Sequence, residues 1–415
     1  MAEAAAQAAE ARLESACSGG NPGNAAQLAK EAMTELVSSV NGASGTAEEE
    51  AATAGVAAAV RYLVRDAVAL GVSRPALEQL AEDLHSLPGD KVETVAQETL
   101  RALAERRSVF EEVEAKIREL LGAVLAEKEL YVDAARVLSA INMEDARHSD
   151  AQKAEQYVRI TELFLEADET VEAERFVNRA SQYIYTCDPL VQVRHKVSYA
   201  RILDAKRRFL DAAHRYYKLS SESAMVDGKT VAEEDLMHLL SKSVTCAILA
   251  SAGPQRQRML NLLYKDERSR TLTTSWMVLE KMYMQRILTN AEIAVFEQQL
   301  EPHQKAILAD GSTVLERAVL EHNVLAATKI YANVSFAELA KLLNIEQTRA
   351  ESVASTMIKE KRMQGTIDQV DGVLDFAAEE DDPLISFDAR IQHLCHAVNG
   401  VLDQIEKTHP GFVAQ

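Results

Sequence analysis

Glycine and proline are scarce in this sequence, at 16 and 8 residues of 415, about half their usual combined share. Aromatic residues are only 5% against 47% hydrophobic residues, so Ala, Leu and Val carry the apolar surface. With turn formers and β-formers rare and helix formers abundant, the composition argues against a sandwich, a barrel or a doubly wound sheet. No run of about 18 apolar residues occurs, so no membrane-spanning helix is expected. The four cysteines, Cys17, Cys187, Cys246 and Cys395, form no CxxC pair. They fit neither a zinc ribbon nor a disulfide framework, and a reducing compartment is the simplest account. Basic excess is also missing: 45 Lys and Arg stand against 64 Asp and Glu, a net charge of −19. That disfavours a protein whose main work is neutralising phosphates and favours a protein partner. The N-terminus, MAEAAAQAAEARLESAC, carries acids and lacks the basic flank and apolar run of a signal peptide. A cytoplasmic or nuclear location is therefore expected.

What is present is helical periodicity. Residues 1–60 are rich in Ala, Ser and Gly and read as a low-complexity, partly disordered N-terminus, with a helix over Ala25–Val37 capped by Asn24 and a linker over Ser38–Glu50. From Val60 the pattern tightens into a stripe of Leu63, Val64, Val68 and Leu70, then Leu77, Leu80 and Leu84. A repeat follows. Tyr131–Leu138 reads YVDAARVL, Thr170–Val177 reads TVEAERFV and Phe209–Tyr216 reads FLDAAHRY, at two equal offsets of 39 residues. Each has an apolar residue, an acid and an alanine in register, and the preceding helices share the offset (Val124-Leu125, Leu163-Phe164, Ile202-Leu203). Two helices per unit at this period mark an α-solenoid over 61–300; the rival reading is chance similarity among amphipathic helices. Further helices are predicted at Val231–Ala250, Gln255–Tyr264, Leu272–Ile287 and Ala291–Leu300.

The texture changes after Asp310. Thr313-x-x-Glu316 predicts a capping box opening a helix through Tyr331. Ser335-x-x-Glu338 predicts a second helix with Phe336, Leu339, Leu342 and Leu343 inward, and Asn344-x-x-Gln347 a third with Val353, Met357 and Ile358 inward. Gly365–Gln369, the turn Asp371-Gly372 and Val373–Phe376 then read as a hairpin. Three helices closed by a hairpin make a winged helix over 301–378. Glu379-Glu380-Asp381-Asp382-Pro383 reads as an acidic linker. Beyond it Phe387, Ile391, Leu394, Val398, Val401 and Ile405 step by 4, 3, 4, 3 and 4, an a/d seam about three heptads long that calls for a partner. The seam either enters an intermolecular bundle or folds back on its own winged helix.

Helical repeats running into a winged helix resemble the PCI-domain family, whose members are scaffold subunits of the proteasome lid, the COP-nine signalosome and a translation initiation factor. YKDERSRTL (Tyr264–Leu272), LEKMYMQRIL (Leu279–Leu288), PHQKAILADGSTVLERAVLEHNVLAATKIYANVSFAELAKLL (Pro302–Leu343) and MIKEKRMQGTIDQVDGVLDF (Met357–Phe376) are similar to the subunit-4 branch of the signalosome. AERFVNRAS (Ala173–Ser181) and VTCAILASAGPQRQRML (Val244–Leu260) extend the likeness. It runs from about Arg107 to the end and leaves residues 1–60 outside it. The resemblance implies an all-α fold: a TPR-like right-handed solenoid, a winged-helix PCI subdomain and a C-terminal helix over 379–415. It also implies a non-catalytic subunit of the complex that removes a ubiquitin-like modifier from cullins of cullin-RING ligases. Its implied partners are the other PCI and MPN subunits and the cullin-ligase substrate, with winged helices meeting edge to edge and C-terminal helices bundled with the MPN pair. A proteasome-lid subunit of the same architecture is the nearest alternative.

The residues carry no catalytic constellation of their own. A JAMM metalloprotease needs a His-x-His pair, a distal Asp and a Glu base, and no His-x-His occurs. His393-Leu394-Cys395-His396 places two imidazoles one turn apart on the seam helix, without a second ligand pair. There is no GxxxxGK[ST] loop and no GxSxG elbow, and Asp310-Gly311-Ser312 reads as a helix cap before an anion cradle. No metal and no cofactor are expected. A winged-helix nucleic-acid binder is the rival of a different class, but the third helix carries mixed signs in Glu346, Arg349, Glu351, Lys359, Glu360, Lys361 and Arg362. The most basic stretch, Arg256, Arg258, Lys265, Arg268 and Arg270, is either a docking patch for an acidic partner or a solvated helix face. The residues expected at the bundle interface are Phe387, Ile391, Leu394, Val398, Val401, Leu402 and Ile405.

Overall fold

The computed structural model describes residues 2–17, 22–43, 46–143, 148–221, 225–226, 229–230, 232–307, 311–376 and 383–408. The fold class is all-α with one small three-stranded sheet and one short hairpin among these residues. Two compact units emerge, 1–206 with 222–231 and 207–221 with 232–415, and each is described by itself. The acidic segment 379–382 and Asp310 lie outside the described residues.

The first unit opens with α1 (Ala2–Cys17), α2 (Pro22–Gly42) and α3 (Thr46–Val64), where the composition suggests partial disorder. Alanine-rich stretches look featureless in sequence because Ala has little hydrophobic weight, yet its small side chain lets helices approach closely. Ala25, Ala29, Met33, Val37 and Val40 form a continuous stripe, all fully or almost fully buried in one core with Leu13, Val56 and Val60. Asn24 lies inside α2 rather than capping it, and Lys91 closes that helix by donating from Nζ to the carbonyls of Val40, Asn41 and Ala43. Next come α4 (Leu70–Asp83), α5 (Gly89–Leu103), α6 (Glu111–Glu127), α7 (Tyr131–Ser139), α8 (Asp150–Glu166), α9 (Thr170–Ala180) and α10 (Pro189–Ala205). Leu77, Leu80 and Leu84 are buried as predicted, while Leu70 is exposed at the start of α4. Strands β1 (Met225–Val226) and β2 (Lys229–Thr230) form a short antiparallel hairpin that no sequence pattern announced.

The 39-residue repeat is a property of the backbone as well as of the side chains. Helices α6, α8 and α10 begin at 111, 150 and 189, and α7, α9 and α11 (Phe209–Ser221) at 131, 170 and 209. Between them Glu129, Asp168 and Arg207 all take left-handed conformations, with φ of 62°, 59° and 61°. In the first two turns the N–H that follows reaches back five residues, Leu130 to Leu125 O at 3.0 Å and Glu169 to Phe164 O at 2.9 Å. This is the Schellman closure that ends a helix and reverses the chain. The register alanines Ala134, Ala173 and Ala212 are fully buried. Gly122 on α6 faces Leu138 on α7 so closely that a Cβ there would sit 2.8 Å from Leu138 Cγ.

The second unit contains α11, α12 (Glu233–Leu249), α13 (Pro254–Lys265), α14 (Thr273–Tyr283), α15 (Asn290–Glu297) and α16 (Val314–Ala327). The winged helix follows: β3 (Asn333–Ser335), α17 (Phe336–Leu343), α18 (Gln347–Lys359), β4 (Thr366–Asp368) and β5 (Val373–Asp375), in the order β3-β5-β4. The Thr313–Glu316 capping box is fully formed, and Ser335 Oγ accepts the Glu338 N–H. Asn344 does not cap the third helix. It ends the second, with φ 55° and ψ 46°, a conformation asparagine tolerates better than most residues. Leu342 points outward, and Ala340 joins Phe336, Leu339 and Leu343 in the winged-helix core with Ala350, Ala354 and Met357. The hairpin loop is Gln369–Gly372 rather than the Asp-Gly pair alone, because Asp368 pairs with Val373. β3 adds a third strand too short to signal itself. Gly365 is required just before β4, since a Cβ would lie 2.7 Å from the Asp375 carbonyl oxygen on β5. The final helix is α19 (Pro383–Thr408).

The left-handed turns give a direct test. Replacing Asp168 by Gly should leave the chain as stable or stabilise it by up to about 1 kcal/mol, whereas Asp168→Val should destabilise it by about 1–2 kcal/mol. Urea unfolding of the two variants, read as midpoint shifts at constant slope, checks both signs.

Candidate assembly interface

Helix α16 is apolar on most of its circumference, yet three consecutive polar residues within it, Glu321, His322 and Asn323, are all buried. Polar groups are retained inside only when their hydrogen bonds are met, and these three reach two backbone segments. Glu321 Oε2 accepts the Ala252 N–H at 3.1 Å, at the break between α12 and α13. His322 Nε2 lies 2.9 Å from Arg286 O, so that nitrogen carries the proton. Asn323 accepts the Leu288 N–H at 2.9 Å and donates to the Leu288 carbonyl at 3.2 Å. One turn of α16 is thereby tied to the breaks after α12 and α14.

Glu321 also holds Arg362, which follows α18, through both guanidinium nitrogens, and it takes Arg317 Nε at 3.1 Å. Burial by itself would raise the Glu321 carboxyl. Arg362, the Ala252 N–H and Arg317 outweigh it and hold the group below its ordinary value. Burial, with the Arg256 charge nearby, lowers His322 to about 4, against the hydrogen bond to Arg286 that favours the charged form.

The predicted basic patch divides. Arg256 is buried and donates to Ala247 O and Ile248 O at 3.2 Å and to Met282 Sδ at 2.8 Å. It closes the C-terminal turn of α12, where a cation is favoured by the helix dipole, and is not available to a partner. Arg268 is occupied by Asp266 and the Ser220 carbonyl. Arg258, Lys265 and Arg270 are exposed, the last 6.0 Å from the ring centre of Trp276, which stacks on Tyr264. Arg362, placed by the sequence on the mixed-sign third helix, is committed to the Glu321 cluster.

The seam residues of α19 are on the surface. Phe387, Ile391, Leu394, Val398, Val401 and Leu402 are 42–63% exposed, and Ile405 is half-buried. His393, Cys395 and His396 are exposed beside them. Together they form an apolar stripe exposed along a 26-residue helix.

Sequence reading found the seam and the wing but missed the Glu-His-Asn triplet. Its one available signal was three successive polar residues inside an apolar helix, which no period-3.6 pattern accommodates.

Comparison with known proteins adds three findings. The family model "PSMD12/CSN4, N-terminal" matches residues 29–227, and the PCI domain model matches 296–377. COP9 signalosome complex subunit 4 of Arabidopsis thaliana is 41% identical over 352 residues, covering 84% of this chain and 88% of that protein. The subunits of the same name from Drosophila melanogaster and Dictyostelium discoideum are 40% and 39% identical, each over 357 residues, with 85% of this chain and 86% and 88% of theirs covered.

Two measurements probe the buried cluster. Glu321→Gln should destabilise the chain by about 3–5 kcal/mol by stranding Arg362, and adding Arg362→Met should recover most of the loss. Because His322 is depressed from 6.5 to about 4, the folded state binds fewer protons than the unfolded one between those values. Stability should therefore fall as pH drops from about 6.5 to about 4, with a one-proton slope near 1.4 kcal/mol per pH unit that His322→Gln abolishes.

Proposed function

The chain belongs to the COP9 signalosome subunit 4 family, with its N-terminal and PCI domains, and from that membership we propose that it is a non-catalytic scaffold and substrate-sensing subunit of the signalosome. In this reading the complex removes the ubiquitin-like modifier from cullins of cullin-RING ligases, in the cytoplasm and nucleus. The winged helix, with a boundary near residue 300, docks on other PCI subunits, and α19 enters a helical bundle with PCI and MPN subunits. The solenoid faces the cullin-ligase substrate, and catalysis belongs to a partner.

The observation that carries the assembly role is the exposed a/d seam of α19. An exposed stripe of six large apolar residues is disfavoured in water, and burial of one such side chain is worth about 1.5–3 kcal/mol. Its regular spacing fits helical partners better than an irregular surface. The names of the three relatives direct the choice to the signalosome rather than the proteasome lid.

Leu394→Asp with Val398→Asp should leave the helical circular dichroism unchanged and abolish co-purification with the other subunits; normal incorporation would overturn the bundle role. The purified chain alone should leave a neddylated cullin uncleaved, and measurable cleavage would overturn the non-catalytic reading.

A further inference from the structure

A second surface in the 207–221 and 232–415 unit is independent of α19. A cleft of about 560 Å³ opens beside the turn before α11, the α12–α13 break and the turn after α18, within the size range of binding pockets. Five cations line it and only two acids. Both acids are already engaged: Asp211 holds Arg208 and Glu360 holds Arg362 at 2.7 Å. Arg256 is buried beneath, its charge met by carbonyl dipoles and a sulfur rather than by a contacting carboxylate. Arg207 and Lys361, both exposed, have no ion pair with a described residue. In a chain of net charge −19 this is a local excess of positive charge.

We propose that this cleft docks an acidic peptide segment of a partner protein, with carboxylates on Arg207 and Lys361 and an apolar side chain between them. The lining sets the chemistry. Arg208 and Arg362 each hold a carboxylate on the rim, so the site already accepts that group at hydrogen-bond distance. Leu210 and Pro254 supply accessible apolar lining that a peptide side chain covers and a bare phosphate does not. The first turn of α13 opens on the same cleft, and its unpaired N–H groups favour negative charge. Charge complementarity of this kind steers encounter and fixes register.

The test uses the full chain and a fluorescein-labelled octapeptide of six acidic residues around two leucines, titrated by anisotropy at physiological salt. Saturable binding is expected, lost when the acids are replaced by glutamine. Arg207→Glu with Lys361→Glu should weaken it at least tenfold and the corresponding double glutamine variant by less, with circular dichroism unchanged in both. The Leu394→Asp, Val398→Asp chain should bind like the parent, which separates this site from the α19 reading. Absence of binding, unchanged binding by the charge-reversed variant, or loss of binding in the α19 variant would overturn the proposal. So would displacement by tripolyphosphate together with indifference to leucine-to-serine replacement, which would assign the cleft to small phosphates.

Discussion

One buried carboxylate organises the C-terminal half of this protein. Glu321 takes two arginines and a backbone amide, and the three donors come from separate places: its own helix, the turn after α18, and the break between α12 and α13. A lone buried carboxylate would be expelled or neutralised; three donors keep it ionised and give each donor a fixed location. The winged helix is therefore held to the last solenoid helices by directed bonds as well as by apolar contact. His322 and Asn323 extend the same arrangement to the backbone after α14. A sliding apolar interface would tolerate many registers, whereas these bonds admit one.

In the 1–206 unit Glu114 is likewise buried between Arg107 and Arg118, and the helix pairs there follow a repeated geometry. The turn at Glu129 recurs at Asp168 and Arg207 with nearly the same φ, so successive helix pairs reverse in the same way. Small residues at fixed positions bring the paired helices together. The left-handed position of these three turns is filled by Glu, Asp and Arg rather than glycine.

Much of this was legible. The 39-residue period, the capping box at Thr313, the hairpin near Gly372 and the seam from Phe387 are local patterns, because each depends on residues within a few turns of one another. The errors were equally physical. Asn344 fits both a helix start and a left-handed helix end, and only the neighbouring helix decides between them. Arg256 counts as a surface cation by composition, but the C-terminal carbonyls of α12 bury it. The N-terminal 60 residues look like low complexity because alanine packing leaves a weak hydrophobic signal, and their burial depends on α4 and α5.

The sequence alone determined the helical class, the repeat length, the position of the winged helix and the apolar stripe of its last helix. These arise from side-chain periodicity and short-range capping, which are encoded along the chain. Only the tertiary structure decided which polar residues are structural and which are free. Glu321 and Ala252 are 69 residues apart, and Glu321 and Arg362 are 41. A charge becomes buried, paired or exposed through neighbours distant in sequence, and it is that distinction which buries Arg256, pairs Arg362 with Glu321 and leaves Arg207 and Lys361 exposed.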